Sequence, residues 1–251
     1  MSTTKDQAKV AIIGGGAIGL SLAYHLGKLG CSDVLLLERN ELTSGTSWHA
    51  AGVVGPLRAS LNLTRLSIYA TELFGRLEEE TGQATGYRRT GGLWLAQTQD
   101  RLTELARIAA MGEMTGLDAR IVSAAEVGDK LPLLRIDDLA GALWVGEDGQ
   151  VNPVDLCMAY AKGARSAGVR IRERSAVTAI EPRRGAGFTV TLADGGEIQA
   201  EAVANCAGVW AGQVGVLAGV PVPVQAVEHM YVVTEPIAGL PAPCPIVRDL
   251  D

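Results

Sequence analysis

The chain has 251 residues, is 47% hydrophobic and carries 22 Lys and Arg against 28 Asp and Glu, a net charge of -6. That length supports a sizeable core in one large or two small domains, and the acid excess excludes the basic stripe that a nucleic-acid backbone or an anionic membrane surface requires. No apolar run approaches the roughly eighteen residues of a membrane span, and only Met1 to Lys9 precede the first apolar run, so neither a span nor a leader is expected and the cytoplasm is the default compartment.

Lys9 to Ile13 reads as a short buried strand that runs into Gly14-Gly15-Gly16-Ala17-Ile18-Gly19. Leu20, Leu22, Ala23 and Leu26 then recur at helical spacing, with Gly30 as the stop, and Val34 to Leu37 is a second buried strand ending at Glu38. The unit is βαβ, which predicts a parallel sheet. Leu63, Leu66, Leu73 and Leu77 mark an amphipathic helix over 61–80, closed by Gly82. A second helix is expected from about Asp100 to Met114. Ser123 and Glu126 have capping-box spacing for a short helix, and Asn152, Pro153 and Asp155 open another that extends to Gly168. Between the helices lie strand-like segments at 92–96, 142–145 and 169–172. A hairpin joins 188–192 to 197–200 at Asp194-Gly195, and a separate buried strand is expected at 203–206. The four cysteines, Cys31, Cys157, Cys206 and Cys244, lack the CxxC spacing of metal sites and read as small buried hydrophobes, so no metal is expected.

The glycine motif carries the chemistry. It follows a strand, opens a helix, sits in a βαβ unit, and has an acid, Glu38, about twenty residues after its last glycine. Gly14 suits the tight turn, Gly16 the close approach of backbone to a pyrophosphate, and Gly19 the packing of helix on strand. Free N–H groups and the positive helix end favour the phosphates, while Glu38 can accept hydrogen bonds from ribose hydroxyls. This predicts a bound dinucleotide. A classical NAD domain would continue with regular βα units, but here the small-residue loop 43–52 follows Glu38, and far downstream 203–210 returns a strand to a glycine turn. Such a return lies against the same cofactor in flavin folds.

Four motifs in order carry a more specific resemblance: Leu42 to Gly52, Thr90 to Leu93, Asn205 to Ala211, and Glu228 to Thr234. On these the sequence resembles the dimethylglycine and sarcosine dehydrogenase family, flavoenzymes of the D-amino-acid-oxidase-like superfamily, over essentially the whole chain. The resemblance implies an α/β fold, with an FAD-binding Rossmann-like domain and an inserted mixed α+β substrate region. It places the first part of the FAD domain at 1–85, the insertion at 86–150, the return at 151–215 and the start of a substrate domain at 216–251. The family's flavin domain continues past Asp251, so the chain is expected to be C-terminally truncated relative to it and inactive as an isolated piece.

The same resemblance implies roles. His49, in Trp48-His49-Ala50-Ala51-Gly52, matches the histidine bonded covalently to the flavin, a reasonable attachment because an uncharged imidazole nitrogen is a competent nucleophile. Ser44, Gly45, Thr46, Ala51 and Gly52 match the loop against the cofactor, as do Ala207, Gly208 and Trp210 in the returning turn. Val177 matches a position whose backbone meets the adenine. His229, expected in an alternating strand over 227–233, matches a histidine proposed to assist amine oxidation. Arg58 reads as an exposed arginine, with a substrate carboxylate as its functional alternative. The implied reaction is hydride transfer from the N-methyl carbon of sarcosine or dimethylglycine to FAD, within one-carbon metabolism. Electrons then go to an electron-transfer flavoprotein or oxygen, and the iminium to water or tetrahydrofolate. The alternatives are a non-catalytic regulator resembling the pyruvate dehydrogenase phosphatase regulatory subunit, another FAD-dependent amino acid oxidase, or an NAD-binding dehydrogenase.

Overall fold

The computed structural model describes residues 6–31 and 33–249, so the first five residues of the supposed leader-free start, together with Leu250 and Asp251, lie outside the described residues. In chain order the elements are β1 (Asp6–Ile13), α1 (Ala17–Lys28), β2 (Val34–Leu37), β3 (Val53–Val54), α2 (Leu61–Thr81), β4 (Arg88–Arg89), β5 (Gly92–Ala96), α3 (Gln99–Glu113), β6 (Ala119–Val122), α4 (Ala124–Lys130), β7 (Gly141–Val145), β8 (Gly149–Gln150), α5 (Pro153–Ser166), β9 (Arg170–Arg172), β10 (Val177–Pro182), β11 (Phe188–Leu192), β12 (Glu197–Asn205), α6 (Ala211–Leu217) and β13 (Ile246–Arg248). Two compact units divide them. One comprises 1–50, 77–85 and 153–230, the other 51–76, 86–152 and 231–251, so α2 is shared between them.

The first unit is built on a six-stranded sheet in the order β10-β11-β12-β1-β2-β9. The expected parallel start is present: β1 pairs in parallel with both β2 and β12, and β2 with β9. All four residues of β2 are buried, as a central strand covered on both faces requires. Its core gathers Ala8, Ala11, Leu35 and Leu37 with Val190, Leu192, Ile198 and Ala200. Two expected segments merge, because 197–200 and 203–206 form the single strand β12. Its first residues pair antiparallel with β11, while residues on both sides of Glu201, from Ile198 to Asn205, pair in parallel with β1 and so hold the two halves as one strand. Cys206 lies just beyond the strand.

The second unit contains a four-stranded sheet, β13-β5-β7-β6, and a small sheet, β3-β8-β4. Its core lies between α3 and the larger sheet, around Leu57, Leu105, Ala109, Leu143 and Val145. The capping box at Ser123 and the stop at Gly82 form as expected, and Thr98 adds a cap that the sequence reading did not name. Ser123 Oγ accepts the Glu126 N–H while Glu126 accepts the Ser123 N–H, which completes the capping box of α4. The Thr98 side chain caps α3 by accepting the Arg101 N–H. Gly82, at φ 65°, closes α2 by donating to the Glu78 carbonyl at 2.7 Å.

Two expectations fail. Residues 227–233 form no strand: they have no pairing partner among the described residues, and both faces of the alternating pattern are exposed. Alternation gives a strand only where a neighbour supplies the ladder. Of the four cysteines only Cys157 is fully buried, the others being half-buried, and all are free thiols. No helix among the described residues is long and apolar enough to cross a membrane, and no group of acidic, histidine or cysteine residues there could hold a metal.

Candidate functional site

The first unit carries a cavity of about 540 Å³ where β1 and β2 end, α1 begins and β12 returns. That size lies within the few hundred to about 1,000 Å³ usual for small-molecule sites, at the strand ends where parallel sheets bind ligands.

The glycine turn is held by backbone on every side. The Gly14 N–H donates to the Leu37 carbonyl at 2.9 Å and the Cys206 N–H to the Ile13 carbonyl at 2.8 Å. Gly14 sits at φ 116°, and a Cβ there would stand 2.4 Å from the Cys206 carbonyl oxygen. A Cβ on Gly19 would stand 2.0 Å from the Gly14 oxygen, so these two positions admit only glycine. Gly16 is different: its backbone is extended, and a Cβ would meet only the Ser47 hydroxyl, at 3.0 Å. Gly16 is the N-cap of the twelve-residue α1 and supplies no capping side chain, and no acidic residue lies in the first turn. The positive helix end therefore faces the cavity without a protein carboxylate in that turn to neutralise it, an arrangement suited to a phosphate.

Glu38 lines the same cavity. Its Oε2 accepts the Gly15 N–H at 2.7 Å and its Oε1 accepts the Asn40 N–H at 2.9 Å. The carboxylate thus braces the glycine turn, and each oxygen keeps a lone pair for a ribose hydroxyl. The loop after β2 folds back on the turn. Buried Thr43, at φ 67°, donates its N–H to the Gly15 carbonyl at 3.0 Å, and Ser47 Oγ accepts the Ala17 N–H at 3.0 Å. Beneath the loop, burial pushes the Cys157 thiol up to about 11, partly offset by a hydrogen bond with Ser47, and burial also raises Cys206. Both thiols stay protonated at neutral pH and are poor nucleophiles.

The returning turn closes the opposite wall. Asn205 Oδ1 accepts the Ala207 N–H at 3.2 Å while its amide donates to the Ala211 carbonyl at 2.9 Å, fixing the step from β12 into α6. The Arg39 guanidinium lies over the Trp210 indole, 4.0 Å from its centroid, a cation–π contact in the cavity wall.

Of the residues singled out in the sequence, Gly14, Gly16, Glu38, Ser44, Gly45, Thr46, Val177, Ala207, Gly208 and Trp210 line this cavity. Gly19 packs behind the turn. His49 ends a 3₁₀ turn, Ser47–His49, whose neighbours Ser47 and Ala50 reach the cavity while its own exposed ring stacks on Trp48 at 3.7 Å between centroids. Ala51 and Gly52 belong to the second unit and do not line the cavity. His229 is exposed on irregular backbone. Arg58, expected at the surface, is half-buried in the second unit. Sequence reasoning missed Arg39, Ser47, Ser175 and the α6 residues Gln213, Val214 and Leu217. The helical spacing of the last three was the signal available for α6.

The cavity fits the adenosine diphosphate part of a dinucleotide: a helix end for phosphate, a carboxylate for ribose, and the β10 backbone at Val177. Comparison with known proteins agrees. A family model described as FAD dependent oxidoreductase matches residues 9–251. Mitochondrial sarcosine dehydrogenase of Mus musculus is 43% identical over 97% of this chain and 27% of its own length. The mitochondrial pyruvate dehydrogenase phosphatase regulatory subunit of Mus musculus is 40% identical over 92% of this chain and 26% of its own. The crystal structure of glycine oxidase from Geobacillus kaustophilus superposes with a TM-score of 0.73 at 31% identity, over 85% of this chain and 58% of that one. The chain therefore spans little more than a quarter of the length of these two mitochondrial relatives.

Proposed function

The chain belongs to the family of FAD-dependent oxidoreductases, and on that premise we propose that the protein oxidatively demethylates an N-methylated glycine, sarcosine or dimethylglycine. The observation that carries this reading is the 43% identity to a sarcosine dehydrogenase over 97% of the chain, together with a dinucleotide cavity beside the Trp48-His49 pair.

The chemistry a bound flavin supplies is acceptance of a hydride from the N-methyl carbon. The chain's own residues hold and orient. The N-terminus of α1 takes the pyrophosphate through backbone N–H groups and its positive end. Glu38, which keeps Gly15 in place, would accept ribose hydroxyls, and the Val177 backbone would meet the adenine. Ser47 fixes the loop relative to α1, and that bond sets the position of His49 two residues later. His49 is the proposed covalent tether, its imidazole exposed next to cavity-lining Ala50. His229 is the proposed assistant to amine oxidation in the full-length protein. An electron-transfer flavoprotein or oxygen as electron acceptor, and tetrahydrofolate as acceptor of the one-carbon unit, belong to the same proposal.

The test is anaerobic mixing of purified full-length protein with sarcosine and with dimethylglycine, followed by visible absorbance. Loss of the flavin band with either amine is expected. A flavin band that neither amine bleaches would sink the proposal and favour the regulatory reading, which the 40% identity to the phosphatase regulatory subunit supports.

A further inference from the structure

The 3₁₀ turn Ser47–His49 at the rim of the dinucleotide cavity has a tryptophan at its centre, between the residue that anchors the turn and the residue proposed as the tether. The backbone there is fixed on both sides. Ser47 Oγ accepts the Ala17 N–H at 3.0 Å, the His49 N–H donates to the Thr46 carbonyl at 3.2 Å, and the Ala50 N–H donates to the Ser47 carbonyl at 3.3 Å. These bonds place the His49 Cα but leave its side-chain torsions free. The ring is exposed, and neither imidazole nitrogen has a hydrogen-bond partner among the described residues. Left alone, such a ring rotates among several staggered states, of which only some aim a nitrogen at a given point.

Trp48 supplies the missing restraint. Its indole lies against the His49 ring with centroids 3.7 Å apart and planes 33° from parallel, a contact of ring face on ring face. Adjacent side chains on a helical turn do not ordinarily face each other, so the stack restrains both rings in a specific way. The indole is 51% exposed, so its contact with His49 is no by-product of packing into a core. The kind of contact matters as well. A hydrogen bond would occupy a nitrogen or fix its tautomer, whereas stacking covers a face and leaves the lone pair, which lies in the ring plane, open.

We infer that Trp48 is a positioning residue for covalent flavin attachment, holding the His49 imidazole by its face while a nitrogen stays free to react. The inference rests on the reading of His49 as the tether. In the attachment a His49 nitrogen bonds to the methyl carbon on the dimethylbenzene edge of the flavin, one methyl C–H is broken, and the imidazole gives up its N–H proton. The C–H electron pair stays on the flavin as a two-electron reduction, and dioxygen then takes that pair with the two protons as hydrogen peroxide. Trp48 takes no part in these bond changes and acts only through the orientation of His49.

The experiment mixes full-length apoprotein with FAD in air and reads, in acid-precipitated samples over time, the flavin that stays with the polypeptide. Wild type should attach flavin, and Trp48→Ala should do so at least about tenfold more slowly, since misorientation at a reacting centre has effects of that size or larger. Trp48→Phe keeps a flat face and should recover part of the rate, whereas Trp48→Leu has apolar bulk without one and should not. Noncovalent FAD affinity, compared between His49→Ala and the His49→Ala, Trp48→Ala double variant, should change less than about twofold. A merely structural role would lower affinity and rate together and would not separate Phe from Leu. Should Trp48→Ala fail to fold, the Phe and Leu variants still decide the matter. Attachment by Trp48→Ala at the wild-type rate, a loss of affinity as large as the loss of rate, or equal rates in the Phe and Leu variants would overturn the assignment. A wild type that attaches no flavin would overturn the tether and the role of Trp48 with it, whereas attachment undiminished in Trp48→Ala counts against Trp48 alone.

Discussion

Replacing Glu38 with Gln tests two roles at once. In the wild type one carboxylate accepts the Gly15 N–H at 2.7 Å and the Asn40 N–H at 2.9 Å. A glutamine has one carbonyl oxygen and one amide nitrogen, so one of these N–H groups loses its acceptor and faces a donor. A hydrogen bond to a charged group contributes about 1.5 to 3 kcal/mol. For a chain of this length each kcal/mol corresponds to about 2 to 4 °C, so Glu38→Gln should lower the melting temperature by about 3 to 12 °C. The ribose loses a charged acceptor as well. FAD affinity should therefore fall about tenfold or more, measured on a His49→Ala background so that only noncovalent binding is read. Calorimetric melting without FAD separates the brace from the ligand contact. An unchanged melting temperature would refute the brace, and an unchanged affinity would remove Glu38 from the adenosine site.

Other outcomes follow from the same contacts. Gly19→Ala should cost about 3 kcal/mol or prevent folding, because its Cβ would overlap the Gly14 carbonyl at 2.0 Å; a near-native denaturation midpoint would contradict the packing. Cys157 should resist alkylation in the folded protein at pH 8 and react on denaturation or as pH approaches about 11, followed by mass mapping of the labelled thiols; rapid labelling at pH 8 would contradict its burial. Acid precipitation should leave flavin on the wild-type chain and release it from His49→Ala, and complete release from the wild type would refute the histidyl tether.

The parts of the fold that were legible share one property, that their signal is local. The strand, glycine turn, helix and strand over 6–37 announce themselves because apolar runs abut a turn whose positive φ at Gly14 demands glycine. The helices α2, α4 and α5 were marked by Gly82, Ser123 and Pro153, each acting within one turn of its own position. What escaped depends on distant partners. The two-residue strands β3, β4 and β8 exist only because Val53 and Arg88 both meet Gln150, contacts no local pattern reports. The stretch around His229 shows the converse, an alternating pattern without a ladder to join. The missed helix α6 contains Gly212 and Gly215, poor helix formers that hide its spacing.

The cavity was legible for a similar reason: glycines and an acid at set spacing imply backbone geometry directly. Arg39 and Ser47 were not, since their roles come from Trp210 and Ala17, which are remote in sequence.

The central claim is that the cavity at the start of α1 holds the dinucleotide, and Gly16 offers its most direct test. Its extended backbone tolerates a side chain, and a Cβ meets only the Ser47 hydroxyl at 3.0 Å, so Gly16→Val should fold while placing methyl groups where phosphate must approach. Titration of His49→Ala apoprotein with FAD, followed by flavin fluorescence, should give saturable binding of one FAD per chain that is otherwise wild type, with no competition from NAD. The Gly16→Val chain on the same background, with an unchanged circular dichroism spectrum, should bind at least about tenfold more weakly. Equal FAD affinity in the two proteins would contradict the placement of the phosphates at this turn.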